Sequence, residues 1–352
     1  MTLNYIGSKK KLIDFLDIPI SKIVKDNMVF LDGFAGTGIV GNSFYNKYNL
    51  SIIANDLEYY SYIINYSQLC VSYSKKLEKI IDEINKDLIN IKENESKEID
   101  NYNLITQNYS PKGCEKRKYW TINNAMKADY IRYKIDKLKE EKKIDNNEHI
   151  YLIGCLLVSI DVIANTACVY GAYLKNFKKS AEEDLILKPI HKNENVKNNK
   201  VFNTDINSDT IYNQNYDICY LDPPYNNRQY SANYHPLNYI AHYDKNLEIY
   251  GKTGLIKNYN KSKYCNKSNA IDMLTELIDK LKTKHILLSY NNEGIMNFDI
   301  IKELLINKGK VILYKKAYKK FKSNSTQKNE DIFEYLFHCE ISNDKSFTEI
   351  II

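Results

Sequence analysis

The sequence lacks closely spaced cysteine pairs, an apolar leader and any internal repeat. Its seven cysteines are scattered without C-x-x-C spacing, at Cys70, Cys114, Cys155, Cys168, Cys219, Cys265 and Cys339. This distribution indicates neither a disulfide framework nor a zinc site, so we expect no bound metal. The first residues, Met1-Thr2-Leu3-Asn4, contain no apolar signal core. We therefore expect no export and a cytoplasmic protein.

Long uninterrupted hydrophobic runs are also missing. The most apolar stretch covers residues 151–173, but Asp161 and Asn165 interrupt it. Because an unpaired aspartate is costly in lipid, the pattern favours a buried helix packed on a sheet edge over a membrane span.

Neither sign of charge is in large excess. The 352 residues include 50 Lys and Arg against 44 Asp and Glu, which gives a net charge of +6. This balance permits nucleic-acid binding but does not prove it, because a local basic cleft matters more than the sum.

Proline is scarce, with 6 in the chain, and Lys, Asn, Ile and Tyr are abundant, which is typical of an AT-rich genome. The length allows one sizeable catalytic domain and a smaller one.

The sequence does contain an apolar segment that stops at an acidic residue and two prolines. Residues 216–221 have the composition of a buried parallel strand, and Asp222-Pro223-Pro224-Tyr225 follows them. Proline has no N–H, so the carbonyls of Asp222 and Pro223 remain as acceptors beside a carboxylate and the ring of Tyr225. Such acceptors would hold an exocyclic amino group and free its lone pair for attack, while the ring would stack on a base taken out of a duplex. The alternative is an ordinary turn after a strand.

A glycine-rich turn forms a second motif. Residues 28–31 read as a strand that leads into Asp32-Gly33-Phe34-Ala35-Gly36-Thr37-Gly38. Gly36, Gly38 and Gly41 also fit the dinucleotide pattern G-x-G-x-x-G, so NAD binding must be weighed. Asp56 follows the next strand at the spacing of an acid that holds ribose hydroxyls, which NAD and S-adenosylmethionine both carry. The acceptors at Asp222 separate the two, because methyl transfer to an amino group uses them and hydride transfer does not.

With both motifs in place, the chain resembles the Dam-type, group α, adenine-N6 DNA methyltransferases, including those that accompany restriction enzymes. The resemblance rests on Tyr5-Ile6-Gly7-Ser8-Lys9, the glycine turn, Asp56, Asn203-Thr204-Asp205-Ile206 and Asp222-Pro223-Pro224-Tyr225. It implies that S-adenosylmethionine is bound by Tyr5, Lys9, Asp32, Gly33, Phe34, Ala35, Gly36, Thr37, Gly38, Asp56 and Asp205. It implies a catalytic pocket for a flipped-out adenine of double-stranded DNA, formed by Asp222, Pro223, Pro224 and Tyr225. Residues 226–235 are similar to the restriction-companion branch, and we expect Arg228 and Tyr230 to contact DNA.

Two other functions remain open from the sequence. Some guanine-N2 rRNA methyltransferases share the first residue of the catalytic motif, although their pattern lacks the N-terminal element at residues 5–9. The second alternative is a DNA-binding relative that has lost catalysis, against which the intact motifs argue. We expect a monomer or a weak dimer.

The predicted fold is α/β, a doubly wound mixed sheet of the S-adenosylmethionine-dependent methyltransferase type. Strands are expected near residues 29–32, 51–55, 200–203, 217–221, 285–289, 310–314 and 332–338. Residues 1–75 and 198–352 would form the catalytic domain. Residues 76–197 exceed what a minimal βαβ sheet needs and would form an inserted, mostly helical target-recognition region.

Three segments are candidates for DNA contact. Lys and Glu at helical spacing in residues 75–98 favour a solvated helical face. Lys116, Arg117 and Lys118 lie next to Trp120, and basic groups beside aromatics suit phosphate contact and base stacking, so we expect these three to bind DNA. Residues 243–267 alternate Lys and Tyr around two glycines, and we interpret them as a mobile loop that orders on DNA or as a plain surface loop.

Overall fold

Short strands form one mixed sheet at the centre of the protein. The computed structural model describes residues 3–91, 102–196, 198–318 and 332–352. Its strands are β1 (Val29–Asp32), β2 (Ser51–Asn55), β3 (Lys200–Phe202), β4 (Ile218–Leu221), β5 (Ile249–Tyr250), β6 (Leu255–Ile256), β7 (His285–Asn291), β8 (Gly309–Tyr318), β9 (Ile332–Ile341) and β10 (Phe347–Ile351). Eight of them pair in the order β10-β8-β9-β7-β4-β1-β2-β3, and β5 and β6 form a separate hairpin.

The centre of the sheet is parallel and one side is antiparallel. β1 pairs in parallel with β2 and β4, and β4 pairs in parallel with β7. β9 runs antiparallel to both β7 and β8. Because parallel strands end at the same sheet edge, the residues that follow β1, β2 and β4 converge there. The predicted mixed α/β class is confirmed, whereas β10 was not predicted; it is an edge strand whose residues, apart from Phe347, are exposed and therefore leave no alternating pattern.

Helices cover both faces of the sheet. They are α1 (Ile13–Ile23), α2 (Ile39–Tyr48), α3 (Tyr59–Leu69), α4 (Lys75–Leu88), α5 (Leu104–Tyr109), α6 (Ile122–Glu140), α7 (Asn146–Val162), α8 (Lys179–Glu182), α9 (Asp209–Tyr212), α10 (Tyr230–Asn233), α11 (His235–His242), α12 (Ala270–Lys280) and α13 (Phe298–Ile306), with a 3₁₀ turn at Lys9–Leu12. Residues of α1 and α2 pack on one face, and residues of α9, α12 and α13 pack on the other. This double covering explains why the central strands are apolar on both sides.

The inserted region is helical, and its core is continuous with the rest of the protein. Buried residues of α4 to α7 belong to one hydrophobic cluster with residues of α3 and α11. The capping box of Asp145 and Glu148 starts α7, whose residues 151–161 are all buried. The helix ends at Val162, earlier than the apolar stretch that extends to residue 173. Among the described residues, no helix combines the length and hydropathy needed to cross a bilayer.

Side chains from the inserted region fix the segment 243–267. Arg117 donates hydrogen bonds to the carbonyls of Gly251 and Lys252, and the Tyr109 hydroxyl donates to the carbonyl of Gly254 at 2.8 Å. His235 Nε2 lies 2.9 Å from the carbonyl oxygen of Thr253. The carbonyl oxygens of residues 251–254, four in succession, thus each lie within hydrogen-bonding distance of one of these side chains. The turn at residues 251–254 is therefore held against the body of the protein, and both interpretations of the segment 243–267, a loop that orders on DNA and a plain surface loop, stay predictions.

Candidate functional site

The glycine-rich turn leaves β1 at its carboxyl end and leads into α2. Gly38 precedes α2 with a φ of +74°, and a Cβ there would lie 2.5 Å from Asn65 Oδ1. Ser61 Oγ and Asn65 Nδ2 both donate to the carbonyl of Gly36. The left-handed backbone and the lack of space together require glycine at position 38.

Asp32 supports this turn from the interior. Its side chain is buried, and Oδ2 accepts a hydrogen bond from the backbone N–H of Gly41 at 2.9 Å. Burial raises the pKa of the Asp32 carboxyl to about 7, although the bond from Gly41 acts in the opposite direction. The geometry gives Asp32 a supporting role at the start of α2, in place of the direct cofactor contact that we expected.

Two acidic residues lie close together after β2. Asp56 Oδ2 accepts from the backbone N–H of Gly36 at 2.7 Å, and Oδ1 accepts from the N–H of Glu58 at 2.9 Å. The Glu58 carboxylate accepts from Ser231 Oγ and from Asn238 Nδ2. Burial raises the pKa of Asp56, and it raises the pKa of Glu58 to about 7. Sequence reasoning missed Glu58, although its spacing of two residues from Asp56 was a usable signal.

A partly open cavity lies at the carboxyl edge of the parallel strands, and we call it the inner cavity. The empty space within it, counted with the solvent at its mouth, is about 760 Å³. The lining residues are Tyr5, Ile6, Gly7, Gly33, Phe34, Asn55, Asp56, Leu57, Glu58, Thr204, Asp205, Ile206, Asp222, Pro224, Gln229, Tyr230, Ser262, Lys263 and Tyr264. The structure thus brings together predicted residues from the N-terminus, the glycine turn, and the segments after β2, β3 and β4. Of the glycine turn, Gly33 and Phe34 line the cavity, whereas Asp32, Ala35, Gly36, Thr37 and Gly38 are not among its lining residues.

Aromatic rings and a carboxylate meet in one part of the inner cavity. The rings of Phe34 and Tyr264 pack edge to face with centroids 5.0 Å apart. Asp205 lines the same cavity, and its Oδ1 accepts from the backbone N–H of Asn207 at 2.9 Å. The Tyr264 hydroxyl donates to Asn207 Oδ1 at 2.8 Å. Tyr264 comes from the segment 243–267, and no sequence pattern connects it to the glycine turn.

A second concavity, which we call the outer cleft, adjoins the inner cavity. It is lined by Leu3, Asn4, Tyr5, Ile6, Gly7, Ser8, Lys9, Lys10, Lys11, Leu12, Tyr225, Asn226, Asn291, Glu293 and Glu334. The two concavities share the backbone segment of residues 5–7. A group bound in one would therefore lie next to a group bound in the other.

Asp222 stands where the two concavities meet. Its Oδ2 lies 3.0 Å from Lys9 Nζ in an ion pair, and its Oδ1 accepts from the Tyr225 hydroxyl at 2.6 Å. Lys9 Nζ also donates to the Tyr225 hydroxyl at 2.8 Å. The side chains of Lys9 and Asp222 are 5% and 17% exposed, so water screens this triangle poorly. Lys9, which we expected to border the cofactor, lines the outer cleft and is paired with Asp222.

Tyr225 is more constrained than the sequence indicated. Its ring packs edge to face on Tyr290, with centroids 5.0 Å apart, and Lys9 Nζ lies 4.7 Å from its centroid. Burial is the first cause that raises the pKa of its hydroxyl, and the nearby Asp222 carboxylate raises it further. Pro223 and Pro224 are buried, and Pro224 lines the inner cavity. The hydroxyl therefore remains a neutral donor to Asp222 at ordinary pH.

The structure places the basic residues at 116–118, which we expected to bind DNA, in different surroundings. Arg117 is 5% exposed, and its guanidinium donates to the carbonyls of Asn108, Gly251 and Lys252. This burial argues against a phosphate contact by Arg117, and the adjacent Trp120 is likewise buried. Lys116 is exposed, and Lys118 Nζ reaches the surface carbonyl of Lys175 at 2.8 Å.

Arg228 and Tyr230, which we also expected to contact DNA, lie in different surroundings as well. Arg228 is exposed, as a phosphate-binding residue must be. Tyr230 lines the inner cavity, and its ring stacks on that of Tyr5 with centroids 5.5 Å apart. The position of Tyr230 thus argues for a cavity wall in place of the DNA contact that we expected.

Known proteins match this chain along most of its length. The family model for D12 class N6 adenine-specific DNA methyltransferase matches residues 5–304. The Type II methyltransferase M.NlaIII of Neisseria lactamica is 41% identical over 348 residues, which are 96% of this chain and 99% of that protein. M.CviAII of Paramecium bursaria Chlorella virus 1 is 36% identical, over 96% of this chain and 98% of its own.

A longer relative matches over part of its length. The Type II methyltransferase M.FokI of Planomicrobium okeanokoites is 39% identical over 350 residues, which are 96% of this chain and 52% of that protein. The chain therefore spans about half of this relative.

Proposed function

The chain belongs to the D12 class of N6 adenine-specific DNA methyltransferases, and we propose that it transfers the methyl group across the junction of the inner cavity and the outer cleft. S-adenosylmethionine binds in the inner cavity, and the flipped-out adenine enters the outer cleft. One observation carries this proposal. Asp222 lines the inner cavity while it is hydrogen bonded to Tyr225 of the outer cleft.

The inner cavity suits a cationic nucleoside better than a dinucleotide. Asp56, Glu58, Asp205 and Asp222 all line it, and carboxylates favour a ligand with a positive centre, hydroxyls and amino groups. A pyrophosphate would meet these acids instead. The backbone N–H of Gly36, which a dinucleotide phosphate would need, already donates to Asp56. These contacts support S-adenosylmethionine over NAD.

The roles of the chain's own groups follow from this arrangement. S-adenosylmethionine, when bound, supplies a methyl group on a positively charged sulfur. Asp222 accepts hydrogen bonds from the adenine amino group and draws its nitrogen toward sp³ geometry, which frees the lone pair for in-line attack. The amino group gives up one proton as the new bond forms, and we assign the Asp222 carboxylate to receive it. Lys9 and Tyr225 keep that carboxylate oriented.

The ribose role of Asp56 gives a first test. Asp56→Ala should weaken S-adenosylmethionine binding by about 1–3 kcal/mol, because ribose hydroxyls lose a charged acceptor. Calorimetric titration measures this change. Asp209→Ala, which removes an exposed acid on α9, is the matched control and should bind normally. Equal affinity of Asp56→Ala and wild type would remove Asp56 from the ribose site.

Double-stranded DNA would approach the mouth of the outer cleft, with Lys116, Lys118 and Arg228 on its phosphates. Replacing Lys116 and Lys118 together with alanine should lower DNA affinity and flatten its log–log salt dependence by up to about two units. Fluorescence anisotropy at several salt concentrations measures the slope. Lys79→Ala with Lys86→Ala, on the solvated face of α4, is the control. Arg117→Ala should instead lower the melting temperature, since it releases the carbonyls of the β5–β6 turn.

The biological setting that we propose is the modification arm of a restriction-modification system. In this setting the protein acts in the cytoplasm as a monomer or a weak dimer, and no metal takes part. Sequencing of modified bases in a host that expresses the chain would reveal N6-methyladenine in one short recognition sequence. Tritiated methyl transfer to duplex DNA is the direct assay. Transfer to rRNA alone would favour the guanine-N2 alternative, and tight DNA binding without any transfer would favour an inactive relative.

A further inference from the structure

Glu334 is an acidic side chain of the outer cleft to which the reaction described above gives no role. It lies on β9, where the register sets it opposite Asn291 of β7 and Lys316 of β8. Directly opposite residues of antiparallel strands point to the same face of a sheet. Glu334 and Asn291 both line the outer cleft, next to Lys9 and Tyr225.

The Glu334 carboxyl has an unmet hydrogen-bonding capacity. Its Oε2 is buried and has no hydrogen-bond partner within the described part of the chain. The neighbouring Asp222 carboxylate differs, since it is bound by both Lys9 and Tyr225. A buried polar oxygen without a partner costs free energy, so its retention at a ligand cleft points to a partner supplied by the ligand.

The surroundings of Glu334 shift the pKa of its carboxyl upward, toward the protonated form. Burial and the nearby Asp222 carboxylate raise its pKa, while Lys9 acts in the opposite direction. The charged and titratable groups around it are Lys9 of the N-terminal segment, Asp222 and Tyr225 after β4, Tyr220 of β4, Glu293 after β7 and Lys316 of β8. A protonated carboxyl is a hydrogen-bond donor, which an ionised one is not.

We propose that Glu334 is a specificity residue that donates a hydrogen bond to a ring nitrogen beside the reactive amino group of the target base. This inference rests on the proposed function, because it needs a base in the outer cleft. Adenine carries acceptor nitrogens, N1 and N7, on the two sides of its amino group. Guanine has a carbonyl in place of that amino group and an N–H at position 1. A fixed donor at Glu334 that meets position 1 therefore pairs with adenine and opposes guanine, whereas N7 is an acceptor in both purines.

Base analogues test the contact directly. Duplexes carry 1-deazaadenine or 7-deazaadenine at the target position, each of which keeps the amino group and lacks one ring nitrogen. We expect the wild type to lose roughly tenfold or more in kcat/KM with one of the two analogues. Glu334→Ala should show a similar loss with adenine and no additional loss with that analogue. Glu334→Gln keeps an N–H donor and should retain most of the adenine rate.

A pH profile adds a readout that a merely structural role would not move. The donor is present below the pKa of Glu334 in the folded protein and is lost above it, so wild-type kcat/KM should fall on the alkaline side. Glu334→Gln should lack this descending limb. Glu340→Ala, which removes an exposed acid of the same strand, is the matched control and should behave as wild type.

Two outcomes would overturn the assignment of Glu334. One is an adenine rate of Glu334→Ala equal to that of the wild type. The other is analogue and alanine losses that multiply, which would mean that they act independently. Failure of the proposed function looks different, because the wild type itself would then transfer no methyl group to adenine-containing duplexes.

Discussion

Asp222→Ala should abolish methyl transfer to DNA while S-adenosylmethionine binding stays largely intact. In the proposed mechanism Asp222 acts on the target amino group, whereas the glycine turn, Asp56 and Asp205 are the main groups proposed to hold the cofactor. The acceptor gains strength as the amino nitrogen becomes sp³, so its loss should cost at least about 3 kcal/mol in the transition state, or roughly a hundredfold in rate.

The ion pair between Lys9 and Asp222 means that Asp222→Ala should also affect the stability of the protein. Removing Asp222 alone leaves the Lys9 ammonium, 5% exposed, without its carboxylate. Breaking a buried ion pair in this way costs about 3–5 kcal/mol of stability. Asp222→Ala should therefore also lower the melting temperature, and a loss of activity could be mistaken for a loss of folding.

Two further variants separate the two effects. Asp222→Ala combined with Lys9→Met removes both charges, and it should recover stability without recovering methyl transfer. Asp222→Asn also removes the charge that pairs with Lys9, but it keeps the volume and one carbonyl acceptor, so it should lose less stability than Asp222→Ala while its rate is strongly reduced. Calorimetry with S-adenosylmethionine, thermal melting and tritiated methyl transfer give the three readouts. A near wild-type rate for Asp222→Ala would disprove the proposed site.

Tyr225→Ala should have the second largest effect, because it removes two contributions at once. The flipped-out adenine loses its stacking surface, worth on the order of 1–3 kcal/mol. The Asp222 carboxylate also loses the hydroxyl that lies 2.6 Å from its Oδ1. We expect a fall in kcat/KM of at least about a hundredfold when both losses add.

Tyr225→Phe separates the ring from the hydroxyl. Stacking requires only the ring, so stacking alone would let this variant keep most of its activity. The structure adds a hydroxyl that bridges Asp222 and Lys9. Losing a hydrogen bond to a charged group costs about 1.5–3 kcal/mol. Tyr225→Phe should therefore transfer methyl groups more slowly than the wild type. Fluorescence of 2-aminopurine at the target position, which reports unstacking, should remain near wild type in Tyr225→Phe and fall in Tyr225→Ala. Equal rates for Tyr225→Phe and wild type would show that the hydroxyl does not orient Asp222.

Much of the sheet and the core motifs was predictable because local rules determine them. The apolar run before Asp222, the prolines after it and the left-handed glycines of the turn are each set by neighbours in the chain. Their shared sheet edge follows from the rule that parallel strands end on one side. The position of Asp56 after β2 indicated its ribose role, and the resemblance to a methyltransferase family added the role of Asp205; both residues line the inner cavity.

The sequence alone determined which chemistry-bearing segments this protein has and in what order they reach the sheet edge. The tertiary structure alone decided which side chains meet: Lys9 pairs with Asp222 across 213 positions, Arg117 turns inward to the carbonyls of residues 251 and 252, and Tyr264 packs on Phe34. Contacts of this kind depend on how distant helices and loops pack around the sheet. A basic run beside an aromatic residue has the same local pattern whether its arginine points to phosphate or to a buried carbonyl, so only packing could distinguish them.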